Sequence, residues 1–133
     1  MRYKNGTDVY GRTYSLDDVI RYRCRFATGF SSEARCESLF REQLRREGAL
    51  FSRWVRVRIP VDSLQSYYEC ADGLDARVEL TIAEYVCRRQ GGGRFPPIIV
   101  IPAREYPIDG NHRVRAAQIV GDEWIDAFVP VMR

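Results

Sequence analysis

The segment Trp54–Ile59 alternates without a break: Val55, Val57 and Ile59 face one side, and Trp54, Arg56 and Arg58 face the other. A period of two predicts a strand. Elsewhere the apolar positions fall at helical spacing. From about Ser32 to Glu47, the residues Cys36, Leu39, Phe40 and Leu44 form one stripe, and Gly48 is a natural stop. From about Leu74 to Arg89, Leu74, Val78, Ile82 and Tyr85 or Val86 recur in the same way, and Gly91-Gly92-Gly93 ends that helix. A shorter helix begins at Ser15, which forms a capping box with Asp18 ahead of the apolar face Leu16, Val19 and Ile20.

The carboxy-terminal third adds a denser succession. Pro96–Ile101 reads as a buried strand, Pro102–Glu105 as a turn and Tyr106–Asp109 as a short returning strand. Gly110 opens a helix that runs to Val120, Gly121 ends it, and Ile125–Val131 is a last strand. Elements of both types in this order predict an α+β fold, a small mixed β-sheet with packed helices. The 133 residues fit one domain, with 1–53 as a helical, basic amino-terminal extension and 54–131 as the core. No internal repeat or low-complexity tract is evident.

The chemistry concentrates in Asp109-Gly110-Asn111-His112-Arg113, at the predicted strand-to-helix junction. A glycine there lets the backbone approach a ligand. The first turn of the helix offers free N–H groups and a partial positive charge, which together suit phosphate. Gly110, Asn111, Arg113 and Arg115 are the candidate phosphate or nucleotide ligands, and Asp109 and the single histidine, His112, are candidate catalytic acid–base groups. The alternative is ordinary turn chemistry, with Asn111 as a helix cap and His112 as a structural residue.

Around this junction the sequence resembles the ParB/sulfiredoxin-like superfamily. The resemblance covers about residues 54–131 and includes Val55–Leu64 as the first strand and the helix start after it. It implies a ParB-like fold and a phosphate-bearing ligand, with ATP, ADP or CTP and Mg2+ as the cofactors to seek. Gly110 and Arg113 match the Gly-Glu-Arg-Arg box of ParB proteins, but Asn111 and His112 do not. Asn111 stands where sulfiredoxins carry their nucleophilic cysteine, so sulfinic acid reduction is not implied. The closest local pattern is the Asp-Gly-His-His-Arg of free serine kinases, which differs only at Asn111. Some relatives are labelled nucleases, so phosphoryl transfer and phosphodiester hydrolysis are both implied.

Charge refines this picture. Residues 1–58 carry 13 Lys and Arg against 7 Asp and Glu, whereas residues 59–133 carry 8 against 11. Twenty of the 21 basic residues are arginine, a side chain suited to phosphate but also favoured by a GC-rich coding sequence. Arg41, Arg45 and Arg46 lie off the apolar stripe of their helix and are candidate nucleic-acid contacts. Read alternatively, Glu37 with Arg41 and Glu42 with Arg46 make a solvated face of i,i+4 pairs. The Gly91–Gly93 run beside Arg88, Arg89 and Arg94 is either a loop covering phosphate or a flexible connector.

Cys24, Cys36, Cys70 and Cys87 are widely spaced and, with one histidine, predict no metal site but four reduced thiols, mostly buried. No run is long enough to span a membrane and the first residues lack an apolar signal region, so a cytoplasmic protein is expected. Two classes of function follow. One is a nucleotide-binding domain with phosphoryl chemistry. The other is a non-catalytic module on the same scaffold that binds nucleic acid or another protein, as a mobile-element inhibitor does.

Overall fold

The alternating segment forms the second strand of a four-stranded sheet. The computed structural model describes residues 13–25, 31–68, 74–102, 104 and 106–131. In chain order the elements are β1 (Thr13–Ser15), α1 (Leu16–Arg25), α2 (Glu33–Arg46), β2 (Arg53–Pro60), a 3-10 turn (Val61–Ser63), α3 (Ala76–Gln90), β3 (Ile98–Ile99), α4 (Asn111–Val120) and β4 (Trp124–Pro130). The strand order is β1-β2-β4-β3. β2 is antiparallel to both β1 and β4, whereas β3 runs parallel to β4. A parallel pair needs a crossover rather than a hairpin, and α4 supplies it. The fold is therefore α+β with a mixed sheet, the class expected from the element order.

Period-two alternation sends the side chains of β2 into two cores. Val55, Val57 and Ile59 pack with Ile98, Val100, Val114, Ala117, Ile125, Ala127 and Val129 under α4. Trp54 packs on the other face with Val19, Ile20, Cys24, Cys36, Phe40, Leu44, Ile99 and Phe128, under α1 and α2. The indole N–H of Trp54 donates to the carbonyl of Phe51 at 2.8 Å, so this ring is buried with its polar atom satisfied. α3 lies outside α4 and buries only Ile82. No helix among the described residues is long and apolar enough to cross a membrane.

Several expectations need correction. Residues 13–25 and 31–49, expected as part of an amino-terminal extension, form one cover of the sheet and share a core with Ile99 and Phe128. β1 has three residues and only Tyr14 is buried, too short for a periodic signal. The strand expected over Pro96–Ile101 is reduced to Ile98–Ile99, since Pro96 and Pro97 have no amide hydrogen for a ladder. The returning strand Tyr106–Asp109 is one isolated bridge, Ile99 to Asp109. Pro107 breaks it, and the amides of Ile108 and Asp109 both donate to the carbonyl of Ile99, at 2.8 and 3.3 Å. Cys24 and Cys36 are buried as expected, but Cys87 is exposed, and Cys70 lies outside the described residues.

Helix starts follow from local chemistry. Asp18 N–H donates to Ser15 Oγ at 3.0 Å and Ser15 N–H donates to Asp18 Oδ2 at 3.1 Å, a reciprocal capping box. Ser32 Oγ accepts from Arg35 N–H before α2, and Asp75 Oδ1 accepts from Arg77 N–H before α3. α4 starts differently, from Gly110 at φ 112° and ψ 19°, with no side-chain cap. A Cβ on Gly110 would sit 2.3 Å from Cγ2 and 2.7 Å from Cβ of Ile98. The close approach this glycine permits is therefore to β3, where the sequence alone suggested a ligand. Gly121, at φ 79°, has the same backbone need but nothing within 4 Å.

The two glycines separate strain from packing. Gly121→Ala should cost about 1–2 kcal/mol, the left-handed penalty alone. Gly110→Ala should cost about 1–3 kcal/mol more, because the added methyl overpacks the core. Urea unfolding of both variants checks this, and equal costs would remove the packing argument.

Candidate functional site

The residues before α4 are organised by Arg113, a charged side chain that is only 8% exposed. Its Nη1 donates to the carbonyls of Pro96 at 3.0 Å and Pro97 at 2.9 Å, and its Nη2 donates to Asp109 Oδ2 at 2.7 Å. These acceptors fit a planar guanidinium fork, which explains arginine rather than lysine at this position. The other carboxylate oxygen of Asp109 lies 3.5 Å from Nη2 of Arg23 on α1. Arg23 in turn lies over the Phe40 ring at 5.2 Å and donates from Nη1 to Cys36 Sγ at 3.8 Å. Burial pushes the neighbouring Cys24 thiol up to about 12, with the Cys36 thiol beside it adding to the shift, so Cys24 stays neutral.

Asn111 is the first residue of α4 and binds two loops. Its Oδ1 accepts from Tyr67 N–H at 2.8 Å and its Nδ2 donates to the carbonyl of Pro107 at 3.2 Å. Its own carbonyl accepts from Ser66 Oγ at 2.9 Å. His112 is half-buried and tilts against Tyr68, with ring centroids 4.7 Å apart. Burial lowers its pKa from the ordinary value, Arg113 lowers it further, and Asp109 opposes both. The imidazole is therefore neutral near pH 7 and can hydrogen-bond without carrying charge.

The structure thus gathers Asp109, Gly110, Asn111, His112 and Arg113 at one end of α4. Arg115 is elsewhere: its Nη1 donates to Gln118 Oε1 at 3.3 Å, and it lines a separate cleft of about 560 Å³ with Asp62, Leu64 and Trp124. Arg41 and Arg45 are held on the surface of α2 by ion pairs with Asp17 and Glu42, and Arg46 is exposed. These pairs replace the expected Glu37–Arg41 and Glu42–Arg46. Gly91 and Gly93 close the end of α3 with bonds to the carbonyls of Cys87 and Arg88, while Arg89 makes a two-pronged bond to Asp122 at 2.9 and 3.0 Å.

Sequence reasoning missed Arg23, Ser66, Tyr67, Tyr68 and Tyr106. Arg23 reaches Asp109 across 86 positions of chain, which no local pattern reveals. The Tyr67-Tyr68 pair is a visible signal, because adjacent aromatics outside any periodic run have no core to fill.

No family model and no curated protein matches the chain. A solved structure of a Pnob8-like ParB-N domain is similar to it, with a TM-score of 0.42 and 13% sequence identity, over 57% of this chain and 29% of that one. The chain thus spans less than a third of the length of that solved protein.

Two outcomes follow from the geometry. Arg113→Ala leaves Asp109 largely buried with one partner fewer and frees two proline carbonyls, so it should cost about 3–5 kcal/mol in urea unfolding. A cost below about 1 kcal/mol would show that the brace is dispensable. The second outcome concerns pH. The folded state holds His112 below its ordinary value of 6.5, so the unfolded chain takes up the proton first as pH falls. Stability should therefore decline from about pH 6.5 downward through the folded pKa. His112→Gln should lack that part of the decline when the two proteins are compared by urea midpoint between pH 5 and pH 8, and parallel curves would contradict the assignment.

Proposed function

We propose that this chain binds a phosphate-bearing ligand, a nucleotide or nucleic acid, at the first turn of α4. The carrying observation is the composition of that turn. Among the α-helices of the described residues, α4 alone begins with neither a side-chain cap nor an acidic residue in its first turn. The first amides of a helix have no acceptor inside it, and its N-terminus carries a partial positive charge. Asp109 does not cancel this attraction, because two guanidiniums face its two oxygens.

In this reading the backbone amides of Asn111–Arg113 receive the phosphate and the neutral imidazole of His112 adds a hydrogen bond. Gly110 and Arg113 fix the geometry from below, and Arg115, Arg41, Arg45 and Arg46 lie outside the contact. ATP, ADP and CTP are the nucleotides to test. Among the described residues no group of three or more His, Cys, Asp and Glu side chains converges. Mg2+ would accordingly arrive as the counter-ion of the phosphates. Asp109 is poorly placed to act as a general base, since both of its oxygens face guanidinium nitrogens, which leaves the neutral imidazole of His112 as the candidate base if the ligand is turned over.

Thermal unfolding with pyrophosphate, ATP, ADP or CTP, each with and without Mg2+, tests this. A ligand at a hundredfold excess over its Kd stabilises the folded state by about 2.7 kcal/mol. His112→Glu should stabilise the unliganded helix by about 0.3–1 kcal/mol through the dipole and abolish the ligand-induced rise. No rise in the wild-type protein, or an equal rise in His112→Glu, would overturn the proposal.

A further inference from the structure

Four aromatic rings meet at the same end of α4. Tyr67 lies edge-on to Tyr68, with centroids 5.6 Å apart, and edge-on to Tyr106 at 6.1 Å. Tyr68 continues the group to His112 at 4.7 Å. Neither sheet core includes any of these rings. Tyr67 is 68% exposed and Tyr106 43% exposed. Tyr67 meets both Tyr68 and Tyr106 edge to face, so it is stacked on neither.

The backbone that carries these rings is tied down. Tyr67 and Tyr106 belong to two loops, and Asn111 holds both through Tyr67 N–H and the carbonyl of Pro107. Ser66 reinforces the first loop: its Oγ donates to the carbonyl of Asn111 at 2.9 Å and accepts from Tyr68 N–H at 3.1 Å. Aromatic surface ordered in advance loses little freedom when a planar group settles on it. The charge beside it also suits a polyanion. Asp109 contributes one negative charge, Arg113 and Arg23 contribute two positive charges, and the helix end adds its partial charge.

We propose that this cluster stacks the unpaired bases of a single-stranded nucleic acid whose backbone phosphate lies at the start of α4. The inference rests on the phosphate reading above and adds the class of ligand. Every base has a π-face, so stacking on exposed tyrosines is tolerant of sequence, and a duplex hides those faces. Tyr67 and Tyr106 both present exposed ring surface, which successive bases of one strand can cover. Asn111 acts as a positioning residue for the tyrosine loops.

The test uses the whole chain and a labelled short oligothymidylate, followed by fluorescence anisotropy. Competitors are an abasic strand of equal length, the corresponding duplex and free CTP and ATP. Pyrophosphate-induced thermal stabilisation is read in parallel as a probe of the helix end alone. Tyr67→Ala and Tyr106→Ala should each weaken oligonucleotide binding about tenfold, as expected for the loss of one stacked base. Tyr67→Phe should bind normally, and all three variants should retain the pyrophosphate response. Asn111→Ala should weaken the oligonucleotide more than pyrophosphate. Equal binding of the abasic strand or the duplex, or unchanged affinity in the Tyr67→Ala/Tyr106→Ala double variant, would overturn the stacking proposal and leave the phosphate site standing. Free nucleotide binding as tightly as the oligonucleotide, with the same tyrosine dependence, would replace the single strand by a mononucleotide. Tyrosine-dependent oligonucleotide binding without any pyrophosphate response would support stacking and overturn the phosphate site.

Discussion

One guanidinium holds the junction together. Arg113 takes two carbonyls from the proline pair before β3 and a carboxylate from the residue before Gly110. Prolines give a strand no amide hydrogen, so their carbonyls lie where the sheet ladder is already interrupted. Buried polar groups of this kind are tolerated only when each finds a partner. Arg113 satisfies them together and fixes the start of α4 against the beginning of β3. Two residues before Arg113, Asn111 extends the arrangement by holding the loops of Tyr67 and Pro107.

The brace also joins the two covers of the sheet. Asp109 belongs to the segment that leads into α4, yet its second partner, Arg23, comes from α1 on the opposite cover. The guanidinium of Arg23 lies over the Phe40 ring and against Cys36 Sγ, and from there it reaches the carboxylate. The amino-terminal helices therefore contribute electrostatically to the candidate site as well as to the core. That role is not visible from a reading of residues 1–53 as a helical, basic extension.

Much of the framework was legible because it obeys simple periods. The alternation of β2, the stripe of α2, the capping box of α1 and the glycine stops of α2 and α4 all appear in the structure. What escaped were short or long-range features. β1 is too brief to show a period, and Pro107 turned an expected strand into one bridge. At the site, the identity of the important stretch was readable, but the work of each residue was not. Arg113 was read as a candidate phosphate ligand, and its side chain donates to Pro96, Pro97 and Asp109, of which the prolines are brought close only by folding. Asn111 was read as a ligand or a cap, and it is the staple for two loops that lie 44 and 4 positions away.

Gly110 and Arg113 are each fully explained by what they touch inside the protein. Selection for a folded chain alone would preserve both, so a descendant that had lost its ligand would still carry the Gly-x-x-Arg signature. Tyr67 and Tyr106 have no such tie, since the core closes without them. They would drift first once nothing rested on them. In a lineage of such chains, the surface tyrosines would record whether the proposed site is in use, and the glycine and arginine would record only that the protein still folds.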